Sequence, residues 1–128
     1  MKIVGCIVIK NDEGEILCVS RKDNHTDFGL PGGKMEDIDQ SLPQITACRE
    51  TLEETGLSIN VEDLELVYAC HHDGYMTYTY YTEKFTGEIN HNEPHVVMWG
   101  TFDDLIEGSF GSYNEQVLYS VLDMLKNK

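Results

Sequence analysis

Arg49-Glu50-Thr51-Leu52-Glu53-Glu54-Thr55-Gly56, preceded by Leu30-Pro31-Gly32-Gly33-Lys34, is the stretch on which the fold turns. At 3.6 residues per turn, Arg49, Glu50, Glu53 and Glu54 fall within an arc of roughly 140° on a helix. Three carboxylates and one guanidinium then share a face. Like charges at this spacing are unfavourable even in solvent and far more so in a dry cleft, unless a cation lies among them. Gly56 suits a C-cap, which places the carboxylates in the last two turns of the helix, where the macrodipole favours cations over anions. Oxygen-only ligands in such a place fit Mg²⁺ or Mn²⁺. A solvated acidic helix face is the plainer alternative, and the glycine turn upstream weighs against it.

These residues resemble the Nudix box of the Nudix hydrolases, which split a nucleoside diphosphate linked to another moiety. The core matches at Arg49, Glu50, Glu53, Glu54, Gly56 and Leu57, and Leu30 to Lys34 match the run into the box. Thr51 replaces the usual aliphatic residue, and Gly33 to Arg49 is two residues longer than the family spacing. Counting forward from Gly33 puts Asp39 at the first box glutamate; counting back from Arg49 puts Ser41 there. The expectation is an insertion at 35 to 40, with Ser41 as helix N-cap and Pro43 in the first turn.

Composition agrees with one small domain covering 1–128, of which 41% is hydrophobic. No apolar run of about 18 residues stands ready to span a membrane, and Lys2 to Gly5 reads as a strand rather than a cleavable signal. Cys6, Cys18, Cys48 and Cys70 form no CxxC pair, which points to reduced thiols and a cytoplasmic protein. The formal charge of -14, from 9 Lys and Arg against 23 Asp and Glu, disfavours nucleic acid as a partner. A small nucleotide entering as a metal complex remains compatible with it. A homodimer stays open.

β-Branched residues make Lys2 to Lys10 a strand; Asn11 to Gly14 reads as a hairpin turn, with Glu15 to Arg21 as partner strand. The box helix is expected over Ser41 to Thr55. Strands follow at Leu64 to His71, Tyr75 to Phe85 and Val96 to Thr101, with a turn at His72 to Gly74. A short helix is expected from Asp103 and an amphipathic one over Asn114 to Leu125, with Val117, Leu118, Val121, Leu122 and Leu125 at helical spacing. The class is α/β. The order of elements also resembles the Nudix fold, an α/β/α sandwich with a mixed sheet between helices.

The resemblance implies Mg²⁺ (or Mn²⁺) held by Glu50, Glu53 and Glu54, with the carbonyl of Gly32 as a further ligand. Arg49 is expected to orient a box carboxylate through its planar fork. The general base is either Glu53 or a glutamate outside the box. Glu93, ahead of Pro94-His95-Val96-Val97-Met98-Trp99, is the outside candidate because MutT-like members carry a similar glutamate in that position. Phe28, Lys34, Tyr80 and His95 are candidate substrate contacts, each with a packing or solvent alternative. The resemblance is strongest to MutT-type nucleoside triphosphate pyrophosphohydrolases, with ADP-ribose or a nucleotide sugar as the other substrate class. A nucleotide-binding regulator without catalysis is a third possibility, disfavoured because all three core glutamates are present.

Overall fold

The computed structural model describes residues 2–91 and 94–128. Its elements are β1 (Lys2–Ile9), β2 (Ile16–Ser20), β3 (Phe28–Gly29), β4 (Gly32–Lys34), α1 (Pro43–Thr55), β5 (Glu65–His72), β6 (Tyr75–Thr82), β7 (Val97–Gly100), α2 (Phe102–Ile106) and α3 (Gly111–Lys126). The strands form a mixed sheet in the order β4-β1-β6-β5 and a second sheet in the order β3-β2-β7. Among the described residues only the β1–β6 pair is parallel.

β1 divides the interior. Its Ile7 and Ile9 join Leu17, Val19, Ala47, Leu57 and Tyr80 in one core, whereas Val8 joins Ile16, Cys18, Tyr81, Leu105, Val117 and Val121 in the other. Side chains alternate across a strand, so β1, buried at every position from Gly5 to Ile9, has both faces covered there. Here α1 packs on β1 from one side, and Val117 and Val121 of α3 fill the core on the other. The outcome is the α/β/α sandwich.

The expected β1–β2 hairpin is corrected. The turn at 11–14 exists, held by the Asn11 side chain, which accepts from the amides of Glu13 (3.0 Å) and Glu15 (2.8 Å). Beyond the single bridge of Lys10 with Ile16, however, β1 and β2 part and enter different sheets. Each strand satisfies its backbone elsewhere, β1 with β4 and β6, β2 with β3 and β7. The true hairpin is β5–β6, turned by Asp73 (φ 50°) and Gly74 (φ 80°).

The helix start is corrected as well. Leu42 is the N-cap of α1 and Pro43 occupies its first turn, whereas Ser41 lies outside with φ 61°. The added residues form a short 3-10 turn, Asp37–Asp39, closed by Gln40 in the left-handed region. At the other end Gly56 caps α1 at φ 85°, as its residue type requires. Helix α3 carries Val117 and Val121 inward, but Leu122, expected on that face, is exposed.

Candidate active site

Arg49 is the hub of the box. Its Nε donates to Asp39 Oδ1 at 2.8 Å and its Nη2 to Asp39 Oδ2 at 3.0 Å, the two-point geometry that a planar guanidinium offers a carboxylate. Nη1 reaches Glu50 Oε1 at 3.0 Å, Glu36 Oε2 at 3.1 Å and Glu53 at 3.3 Å. Nη2 also donates to the Lys34 carbonyl at 3.2 Å. Of the two counts along the lengthened loop, the forward one locates the arginine's partner. Asp39 is fully buried, receives the Thr46 hydroxyl (2.8 Å) and the Glu36 amide (2.9 Å), and is held by the guanidinium well below the usual carboxylate range. Arg49 does orient a carboxylate, but its two-point partner is Asp39 rather than one of the three core glutamates.

The glutamates differ in setting. Glu54 accepts from the Gly32 amide at 2.9 Å. Burial raises its carboxyl to about 7, eased by that amide and raised further by the charge of Glu50. Burial also raises Glu50, against the lowering pull of Arg49. Glu50 lies against Gly33, where an added Cβ would sit 2.5 Å from the Glu50 carboxyl carbon; any other residue would force the Glu50 carboxylate to swing aside. Glu53 is 58% exposed. With Glu50 and Glu53 turned onto Arg49 and Glu54 onto the Gly32 amide, no three carboxylate, imidazole or thiol side chains converge on one point among the described residues.

Thr51, the departure from the box pattern, is fully buried and donates to the Ala47 carbonyl at 2.7 Å. Its hydroxyl is thereby satisfied within the helix while its methyl packs like an aliphatic one. Leu57, the aliphatic end of the box, is buried in the first core.

The remaining expected residues fall in different places. His95 Nε2 donates to the Glu54 carbonyl at 2.7 Å, so this buried imidazole braces the last turn of α1. Tyr80 is corrected from substrate contact to core: it is paired with Ile7 on the face beneath α1, 8% exposed, its hydroxyl 3.5 Å from Gln44 Oε1. Phe28 is half-buried against the second core. Lys34 is exposed, with its Nζ 5.4 Å from the centre of the Tyr75 ring. Glu93 lies outside the described residues. Sequence reasoning missed Glu36, which pairs with Arg49; its signal was its place three residues before Asp39, a capping-box spacing.

A model of the NUDIX domain matches residues 1–119. The chain therefore belongs to the NUDIX family and carries a Nudix hydrolase domain. It is 33% identical over 101 residues to a MutT-like protein of Streptomyces ambofaciens, a match covering 78% of this chain and 64% of that relative's length. Among solved structures it is similar to the MutT NUDIX hydrolase of Burkholderia pseudomallei, at 26% identity and a TM-score of 0.73, covering 91% of this chain and 95% of the other. A structure described as MutT of Aliivibrio salmonicida and Vibrio cholerae shares the fold at 22% identity and a TM-score of 0.76, covering 96% and 98% of the two chains.

Proposed function

We propose that the protein hydrolyses the phosphoric anhydride of a nucleoside triphosphate, with Mg²⁺ or Mn²⁺, to a nucleoside monophosphate and pyrophosphate. The observation that carries this reading is the seating of Glu50 and Glu54 against the Gly32-Gly33 strand beside the exposed Glu53, all on one helix anchored through Arg49. The donor set fits a hard divalent cation. It is made of oxygen alone, and burial leaves Glu50 and Glu54 reluctant to ionise without added positive charge. Glu50, Glu53 and Glu54 would hold the ion, with the Gly32 carbonyl as the expected backbone ligand. Such an ion supplies charge neutralisation for the phosphate oxygens.

The chain's own groups do the rest. Pyrophosphate linkages persist in water because their anionic oxygens repel a nucleophile, so the site must lower that repulsion and align a water molecule. Glu53, the most exposed of the three, is placed to accept the proton of the attacking water; Glu93 is the other group proposed for that step. Water adds to one phosphorus, the bridging P–O bond breaks, and its oxygen leaves on pyrophosphate. Arg49 holds the helix face in register, and Lys34 is the proposed cation for the phosphates.

Incubation with a panel of nucleoside triphosphates and ADP-ribose in Mg²⁺, with product identification, tests this. Monophosphate and pyrophosphate are the expected products. A sugar phosphate released from ADP-ribose alone would move the assignment to the nucleotide-sugar class, and no turnover on any member would make the domain a binding module.

A further inference from the structure

The box carboxylates occupy the weak end of their helix. The last carbonyls of an α-helix have no partner within it, and α1 ends on Leu52-Glu53-Glu54-Thr55, a turn without a basic residue where the macrodipole already disfavours anions. Such an end frays readily. Donors from beyond the helix close this one: Gly56 N meets the Leu52 carbonyl at 3.0 Å, Asn90 N the Thr55 carbonyl at 2.8 Å, and His95 Nε2 the Glu54 carbonyl at 2.7 Å. A carbonyl only accepts, so His95 carries a proton on Nε2. Of the three ties, His95 alone makes its own with a side chain, from a ring that is buried.

The imidazole is itself fixed from another layer. Val96 N donates to Ser20 Oγ at 2.8 Å, Ser20 N donates to the Val96 carbonyl at 2.8 Å, and His25 Nε2 donates to the Pro94 carbonyl at 3.0 Å. The residues on either side of His95 are thus held by the end of β2 and by the loop that follows it. Helix α1 packs on β1 and β4, in the mixed sheet, whereas β2 belongs to the second sheet. His95 therefore ties the turn that carries Glu53 and Glu54 to the second sheet. A cation held by both glutamates needs that turn ordered, and ordering it at the moment of binding would subtract from affinity.

We propose that His95 is a positioning residue for the metal site: by donating to the Glu54 carbonyl it keeps the last turn of α1 helical before the cation arrives. This rests on the metal-dependent reading above and deepens it. In this role the imidazole touches neither metal nor substrate and acts through the backbone of Glu54. Partners that orient metal ligands from outside in this way are worth about 10- to 100-fold in metal affinity.

The test varies reach at constant chemistry. His95→Gln puts an amide donor where Nε2 stands, and His95→Asn carries the same amide one methylene short of the Glu54 carbonyl. Mn²⁺ binding, read from the electron paramagnetic resonance of the free ion with no nucleotide present, should be about tenfold weaker in His95→Asn and within about twofold of the parent in His95→Gln. A histidine that only stabilised the fold would show in melting and leave Mn²⁺ affinity unmoved. Parent-like affinity in His95→Asn would overturn the positioning role, and so would equal weakening in the two variants, since the bulk of the ring rather than its donor would then matter. In the parent itself the Gly56 amide, which donates to Leu52, should resist hydrogen exchange before Mg²⁺ is added; protection that arises only with Mg²⁺ would overturn the proposal without any variant. Reading binding without turnover separates this from the function itself. A weakened His95→Asn sustains the role even if no triphosphate is hydrolysed, whereas a parent that binds no Mn²⁺ would remove the metal reading and this role with it.

Discussion

Asp39 and Glu53 both bond Arg49, yet they live in opposite surroundings. Asp39 is completely buried and takes four donors: two nitrogens of Arg49, the Thr46 hydroxyl and the Glu36 amide. Glu53 is 58% exposed and touches one guanidinium nitrogen, at 3.3 Å. The arginine thus sorts the acids around it, using one edge for architecture and leaving the other free to meet solvent and substrate. A buried ion pair is costly to break because the survivor keeps its charge in a dry place. Asp39→Ala should therefore destabilise the fold by about 3–5 kcal/mol and loosen the register of the helix. Thermal melting across pH checks it. The folded carboxyl titrates well below its unfolded value near 3.9. Its contribution is then present in full above about pH 4 and fades as pH falls further, a fading that Asp39→Ala should lack.

The opposite substitution should break the other half of the comparison. Glu53→Gln keeps size and hydrogen bonding while removing the charge, so melting should stay within about 0.5 kcal/mol of the parent, as for other exposed pairs. Hydrolysis should fall about 100- to 1,000-fold, the loss seen when one preorganised electrostatic group is removed. A parent-like rate would take Glu53 out of the metal and base roles and leave Glu50 and Glu54 as the core pair. Loss of stability equal to that of Asp39→Ala would show that both edges of Arg49 are architectural.

The same contrast marks what could be read from the chain alone. The crowding of Arg49, Glu50, Glu53 and Glu54 on one helix face is a local regularity, and it placed the helix and its C-cap; the glycine pair read as a turn is instead strand β4, Gly32–Lys34, because its backbone pairs with β1. The partner of Arg49 was not local. Ser41 and Pro43 look like a helix start by residue type, but Arg49 and Thr46, on the turns beyond, both reach back to Asp39, so the chain before the helix coils into a 3-10 turn to deliver it. Tyr80 shows the same limit: alternation put it in a strand, and its pairing with Ile7 decided that it faces α1. The β1–β2 turn was legible from Asn11 and Gly14. The parting of its strands was not, because it depends on which distant strands compete for each edge. His95 likewise finds its acceptor 41 residues away, at the Glu54 carbonyl.

The smallest effect concerns Ser41, where the two readings of the loop oppose each other in sign. Were Ser41 the N-cap, Ser41→Ala would cost about 1 kcal/mol and Ser41→Gly a few tenths. In the structure it is exposed at φ 61°, a conformation that costs a residue with a Cβ about 1–2 kcal/mol and glycine little. Glycine gives back part of that gain through the greater freedom of its unfolded chain. Ser41→Gly should therefore raise stability, by up to about 1 kcal/mol, and Ser41→Ala should be close to neutral, since no helix donor depends on the hydroxyl. A chain of this length converts 1 kcal/mol into about 3–5 °C of melting temperature, large enough to read the sign. A rise for glycine assigns the loop to delivering Asp39, and makes the left-handed Gln40 and Ser41 the strain accepted for carrying that carboxylate beneath Arg49.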